Sequence, residues 1–206
     1  DDCLEGICYA VGDTCDNPRQ VGALPFTGTG DTLDATSQHG YDAGQCPPET
    51  GGYGDGAPDE VWTFAPAESG YYRISLSGNY DSNLYIITDC ADAGGSCVAG
   101  DEDICTGCTE TIEPWLDAGV TYFIIVDGYS NSNAGNGGTY TLTVEPLTGD
   151  TCADALPVGA LPFSASGDTS DATPDYGYDA GQCPPETGGW GDGSADEVYA
   201  FTPAAT

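Results

Sequence analysis

Five stretches of the chain, most of them alternating apolar and polar residues with a period of two, stand out: Glu60–Phe64, Tyr71–Ser77, Asn83–Thr88, Val120–Val126 and Gly138–Val144. All five are rich in aromatic and β-branched residues, the pattern of strands. Shorter candidates lie at Ala23–Thr29, Thr32–Thr36 and Thr109–Glu113. Clusters of Gly, Pro, Asn and Asp separate them, and no stretch combines helical periodicity with helix caps. Roughly eight short strands of this kind predict an all-β, jelly-roll-like β-sandwich.

The pattern then repeats. Gly12-Asp-Thr-Cys15 returns as Gly149-Asp-Thr-Cys152, Val21 to Phe26 as Val158 to Phe163, and Gly40 to Gly52 as Gly177 to Gly189. The offset is constant and needs no gap between Gly12 and Pro66, and roughly two-thirds of these positions match, which marks an array of whole domains. The expected organisation is an N-terminal segment over 1–11, a complete module over 12–148, and the N-terminal part of a second module over 149–206. The lead-in to the second copy, Thr139 to Pro146, is a strand; residues 1–11 do not resemble it. With no Met and no apolar leader, the start reads as a processed, mature N-terminus. Counterparts of Gly70 to Val144 are needed to cover Phe163, Val198 and Phe201. The expectation is that further polypeptide, in the same chain or from a neighbouring subunit, supplies them.

Charge narrows the class of partner. There are 34 acidic residues against Arg19 and Arg73, and the formal net charge is −32. That excludes nucleic acid as a direct partner and disfavours anionic membranes. No segment is long and apolar enough for a membrane helix. The chain is nevertheless 39% hydrophobic, with 13 Tyr, so it can bury a core. A compact fold with so few cations repels itself unless cations screen or bind it. Calcium, a hard cation with a preference for carboxylate and carbonyl oxygen, suits that role outside cells; the alternative is a solvated acidic surface.

Ten cysteines indicate an oxidising compartment. Because the second copy keeps only Cys152 and Cys183, the economical pairs are Cys15–Cys46 and Cys152–Cys183. Local pairing is expected for Cys90–Cys97, Cys105–Cys108 and Cys3–Cys8. The Cys105-Thr-Gly-Cys108 spacing also admits a redox dithiol, or a zinc site together with Cys90 and Cys97.

Gly12-Asp-Thr-Cys, Gly30-Asp-Thr, Asp59-Glu-Val-Trp-Thr-Phe, Ser69-Gly-Tyr-Tyr-Arg-Ile-Ser-Leu, Tyr80-Asp-Ser-Asn-Leu-Tyr-Ile-Ile and Gly119-Val-Thr-Tyr-Phe-Ile-Ile-Val-Asp-Gly form a series. Together they resemble the bacterial pre-peptidase C-terminal (PPC) domain. The likeness covers residues 12–146, and its first part recurs at 149–206. It implies an extracellular jelly-roll module that accompanies secreted proteases or stands in tandem on surface proteins. The relatives in clostridial collagenases bind calcium and collagen. The cysteines and the long loop from Gly40 to Pro58 depart from simpler members.

Asp55, Asp59 and Glu60 place three carboxylates on a glycine-rich turn before a strand, and the turn recurs as Asp192, Asp196 and Glu197. The resemblance implies calcium held between this turn and the module's start, at Asp13, Asp55, Asp59 and Glu60 and again at Asp150, Asp192, Asp196 and Glu197. Weaker clusters are Asp101-Glu-Asp103, and Asp127 with Asn131, Asn133 and Asn136. No GxSxG, HExxH or P-loop pattern occurs, and His39 is replaced by Tyr176 in the second copy, so no catalytic residue is expected. The functional expectation is a non-catalytic, calcium-stabilised structural repeat protein. It would build a fibre, stalk or filament on or outside a bacterial cell, with further modules of the same chain or identical subunits as partners. The alternatives are an adhesion module for polysaccharide or a host protein, in which Tyr41, Tyr53, Trp115, Tyr129 or Trp190 stack on sugars, and an accessory domain of a secreted protease.

Overall fold

A computed structural model describes residues 2–4, 7–49, 51–103, 105–129, 136–159, 161–167, 169–170, 172–177, 179, 182, 189, 191 and 193–203; for 2–4 and 7–9 it describes the backbone alone. The chain divides into two compact units, Asp1–Pro146 and Leu147–Thr206. Among the described residues there is no helix, and so none long and apolar enough to cross a membrane.

The first unit opens with a small hairpin of β1 (Asp2–Leu4) and β2 (Ile7–Tyr9), in which Cys3 stands opposite Cys8. The strands that follow are β3 (Arg19–Gln20), β4 (Phe26–Asp31), β5 (Glu60–Phe64), β6 (Gly70–Gly78), β7 (Ser82–Ile87) and β8 (Cys97–Asp101). After them come β9 (Thr109–Ile112), β10 (Trp115–Leu116), β11 (Tyr122–Gly128) and β12 (Thr139–Pro146). They form two five-stranded sheets. In the first, β4 pairs with β12, β12 with β6, and β9 and β10 both lie along the other edge of β6. The second runs β3-β5-β11-β7-β8. All pairs are antiparallel except β3 with β5.

Alternation explains the core. Ile74, Leu76, Leu142 and Val144 of the first sheet meet Leu84, Ile86, Ile124 and Val126 of the second in one hydrophobic cluster. The structure is therefore the all-β sandwich that the strand pattern predicts. Thr32–Thr36 is a correction: it is a turn closed by Ala35 N–H to the Thr32 carbonyl, and the strand before it runs Phe26–Asp31 instead. Strand β8 went unforeseen because its Gly and Ala lack a strand signature and it pairs only as an edge, with a bulge at Ile86/Ile87. Pro114, which has no N–H to donate, separates β9 from β10.

The two sheets differ on their outer faces. Every residue of β7 is buried, because the loop from Gly40 to Pro58 folds over the second sheet. Tyr41 and Cys46 pack there on Val61, Tyr85, Ile87 and Ile125 as a second hydrophobic cluster. Backbone hydrogen bonds between Tyr41 and Tyr53, and from Gly100 N–H to the Pro47 carbonyl, hold the loop down. Two disulfides bolt this layer to the β7–β8 hairpin, and both correct the expected pairing: Cys15 joins Cys90, and Cys46 joins Cys97. Each cysteine of the covering layer crosses to the hairpin beneath it. Cys15 therefore does not pair with Cys46, nor Cys90 with Cys97. Cys105 joins Cys108 as expected, so this CxxC is a disulfide. Cys183 lies outside the described residues.

In the second unit, β13 (Leu156–Pro157) and β14 (Tyr199–Ala200) pair in parallel, in the register of β3 and β5 at the same offset as the sequence repeat. Phe201 is 51% exposed, whereas its counterpart Phe64 is 5% exposed.

Candidate metal centre

Asp13 follows a left-handed Gly12 and is buried. Its Oδ1 accepts hydrogen bonds from the Thr36 N–H (2.5 Å) and hydroxyl (3.0 Å). Asp59 sits at the end of the covering loop, immediately before β5, and is fully buried. Its Oδ2 accepts from the N–H groups of Gln38 (2.6 Å) and His39 (3.1 Å). Its Oδ1 is buried and has no hydrogen-bond donor among the described residues. Burial pushes the Asp59 carboxyl up to about 7, against the pull of the two backbone donors and with help from the charge on Asp13.

Asp127, on β11, points to the same outer side of the second sheet and is fully buried. Tyr85 O–H donates to its Oδ2 (3.0 Å) and Gly128 N–H to its Oδ1 (2.7 Å). Burial raises its pKa well above the carboxylate range, with the charges of Asp59 and then Asp55 acting in the same direction. Gly54 makes this possible. Its φ is +90°, and a Cβ there would lie 2.2 Å from Asp127 Oδ2, so only glycine fits between Asp55 and that carboxylate. Asp13, Asp59 and Asp127 thus form a line of buried acids, with exposed Asp55 at its rim. Among the described residues, the salt bridges of Arg19 and Arg73 go to Glu60, Glu113 and Glu145 and to none of these acids.

Glu60 faces the other way, as the next residue of a strand must. It is held by Arg19 Nη2 at 2.9 Å and by the Tyr140 hydroxyl, which in turn accepts from Trp62 Nε1 (2.8 Å). Its charge is already matched, so the structure places it apart from Asp59. Asp101 accepts from Thr111 N–H, and Asp103 is an exposed loop acid. Between them lies Glu102, which is buried with neither carboxylate oxygen in hydrogen-bonding geometry. Burial, and next the charge on Asp81, raise it to about 7, with the nearby Tyr53 hydroxyl opposing. Glu110 is fully buried too, accepts from Asp103 N–H (2.9 Å), and is raised to about 7, chiefly by burial. Glu102 stands inside the acidic run Asp101-Glu-Asp103 that the sequence singles out, whereas Glu110 was passed over. The inward phase of Glu110 with Ile112 was the available signal.

The second copy repeats the arrangement at the same offset. Asp150 Oδ1 accepts from Thr173 N–H (2.6 Å), Asp196 Oδ2 from Tyr176 N–H (3.0 Å), and Asp196 Oδ1 is buried with no hydrogen-bond partner among the described residues. Glu197 accepts from the Tyr199 hydroxyl, and Asp192, Asn131 and Asn133 lie outside the described residues. Among the described residues, three metal-binding side chains converge within 4.8 Å only at Cys15, His39 and Cys90, and there the two sulfurs are joined in a disulfide.

Comparison with known proteins gives likeness to solved structures. No family model and no curated protein matches the chain. It is similar to the pre-peptidase C-terminal domain of collagenase from Bacillus anthracis, at 18% identity and a TM-score of 0.39, over 62% of this chain and 94% of that one. It is also similar to PliG of Aeromonas hydrophila, a periplasmic inhibitor of g-type lysozyme, at 12% identity and 0.39, with the same coverage. A third is the CBM36-1 domain of a xylanase from the hindgut metagenome of Trinervitermes trinervoides, at 16% identity and 0.31, over 57% of this chain and 94% of that one.

Proposed function

We propose that the chain is a non-catalytic extracellular repeat module in which calcium staples the segment around Asp13 and the covering loop to the second sheet. The observation that carries this reading is the buried, partnerless Oδ1 of Asp59 between Asp13 and Asp127. Two adjacent buried carboxylates repel each other, and the pair must take up a proton or a cation. Asp13, Asp59, Asp127 and Asp55 offer hard oxygen donors, and the surrounding turn offers backbone carbonyls, a set suited to calcium. The disulfides fit an oxidising compartment. Recurrence of the Asp13 and Asp59 hydrogen bonds at Asp150 and Asp196 supports one centre per repeat. An array of such modules, stiffened by cations and disulfides, suits a fibre or stalk.

Equilibrium dialysis of the native chain against calcium tests the centre. Tight uptake by the native chain and weaker uptake by Asp59→Asn are expected. Equal uptake by both sinks the assignment. Electron microscopy of native material tests the array: regular fibres support it, and dispersed particles do not.

A second reading, as a binding module, is favoured by one feature. Trp115 is 51% exposed on the first sheet, whereas Tyr41 is buried beneath the covering loop.

A further inference from the structure

The covering loop leaves the outer face of the first sheet bare, and the strand register places one kind of side chain there. Across the sheet, Thr27, Thr143, Ser75 and Thr111 stand in one row. Two residues along each strand, Thr29, Thr141, Ser77 and Thr109 stand in the next. The burial pattern puts all of these side chains on the solvent side. Ser75 and Thr111 hydroxyls are 3.0 Å apart. Neighbours are about 4.8 Å apart across strands and about 6.8 Å apart along them. The rows end in a shallow depression lined by Thr29, Ser77, Asn79, Thr139 and Thr141.

Two features separate this face from an ordinary solvated sheet. The first is charge. The chain carries 34 acids, yet neither row contains one. Of the rows that flank them, one holds Asp31, whose Oδ1 accepts from the Leu33 N–H at 3.0 Å, and the other holds Glu145 and Glu113, which Arg73, one of only two basic residues in the chain, bridges at 3.5 Å and 2.8 Å. The second is the repeat. The counterparts of Thr27 and Thr29 are Ser164 and Ser166, so both positions change identity and keep the hydroxyl. Beyond the Arg73 row stands Trp115, in edge contact with Tyr71 at 5.3 Å, its indole N–H held by Asp117.

We infer that this face is a binding site for an uncharged polysaccharide, with Trp115 and Tyr71 stacking on a sugar ring and the two hydroxyl rows bonding to the rings that follow. An indole face takes the apolar side of a pyranose ring, while ranked hydroxyls donate to and accept from sugar hydroxyls. An anionic glycan would be repelled by the net charge, and a cationic ligand would find no acid in the rows. The inference rests on the reading of the chain as a non-catalytic extracellular module and is independent of its calcium.

Affinity electrophoresis and pull-down on a panel of uncharged polysaccharides (β-1,4- and β-1,3-glucans, mannan, xylan, chitin), with alginate as the anionic control, test it. The native chain should be retained by at least one uncharged polymer and not by alginate. Trp115→Ala and Thr29→Asp should each weaken retention at least tenfold with melting temperatures preserved, and Leu33→Ala, an exposed apolar residue elsewhere, should leave it unchanged. No retention on any uncharged polymer, equal retention on alginate, or retention indifferent to Trp115 and Thr29 each overturns the inference. Calcium uptake on the same preparations keeps the two readings apart. A chain that takes up calcium and no glycan refutes only the glycan site, and one that binds glycan without calcium refutes only the metal centre.

Discussion

Under the proposed calcium centre, removing the metal should steepen the loss of stability that this fold suffers as pH rises. Asp59 is fully buried, and its carboxyl is raised from 3.8 to about 7 without a cation. A carboxyl whose folded pKa lies above its unfolded value stabilises the fold while protonated. That contribution is complete below the unfolded value and is lost as pH rises through the folded one. Three pKa units correspond to about 4 kcal/mol, withdrawn between about pH 4 and pH 7. At about 2–4 °C per kcal/mol for a domain of this size, the metal-free melting temperature should fall by about 8–16 °C across that window. Asp127, Glu102 and Glu110 are shifted in the same direction and steepen the fall. In the proposed centre calcium would take the place of the proton at Asp59, and calcium-loaded protein should then lose less as pH rises. Thermal melts from pH 4 to pH 8, with chelator and with calcium, read this directly. Asp59→Asn isolates the residue. With the charge gone, metal-free variant should melt above metal-free native protein at pH 7 and lose most of the gain from calcium. A metal-free profile that is flat or rises from pH 5 to pH 7 refutes the argument, as does an Asp59→Asn variant that keeps the full calcium gain.

Non-reducing peptide mapping should recover Cys15 linked to Cys90 and Cys46 linked to Cys97; a Cys15–Cys46 peptide would contradict the covering-layer architecture. Arg19→Ala should cost about 3–5 kcal/mol in chemical denaturation, because it strands the 4% exposed Glu60 without its partner, whereas a loss below about 1 kcal/mol would show that Tyr140 suffices. Gly54→Ala should destabilise by more than about 1 kcal/mol and weaken calcium uptake, since the backbone is left-handed there and the methyl would meet Asp127; wild-type stability and uptake would show that the turn is looser than described.

The sandwich was legible because its core strands obey one rule. Tyr72, Ile74 and Leu76 alternate with Arg73, Ser75 and Ser77, and a period of two needs no tertiary knowledge. The covering layer was not legible. Its loop is built of Gly, Pro and Asp, and nothing local says that Tyr41 and Cys46 will lie on Tyr85 and Ile87, whose side chains face away from the main core. The disulfide error has the same root. Matching cysteines between copies assumes that partners repeat together, but Cys90 and Cys97 lie in a part of the module that residues 149–206 do not duplicate. In the candidate centre, Asp13 and Asp59 were named because they flank strands in a recognisable pattern. Glu60 was grouped with them by adjacency, although neighbouring strand residues point to opposite sides. Asp127 joined the group only once the fold brought β11 beside the covering loop.

The two long-range disulfides also set how the module would carry tension. A pull transmitted from residue 12 towards residue 146 reaches Cys15 almost at once and can pass through sulfur directly to Cys90. The sequence separation bridged in this way is 75 residues. At about 3.4 Å per extended residue, that withholds about 250 Å of slack that an unbridged chain would release on unfolding. Cys46–Cys97 overlaps the first bridge, so breaking one alone leaves the hairpin anchored by the other. Torn open, the first unit could pay out only the segments outside its bridges, and most of the sandwich's length would stay locked under load.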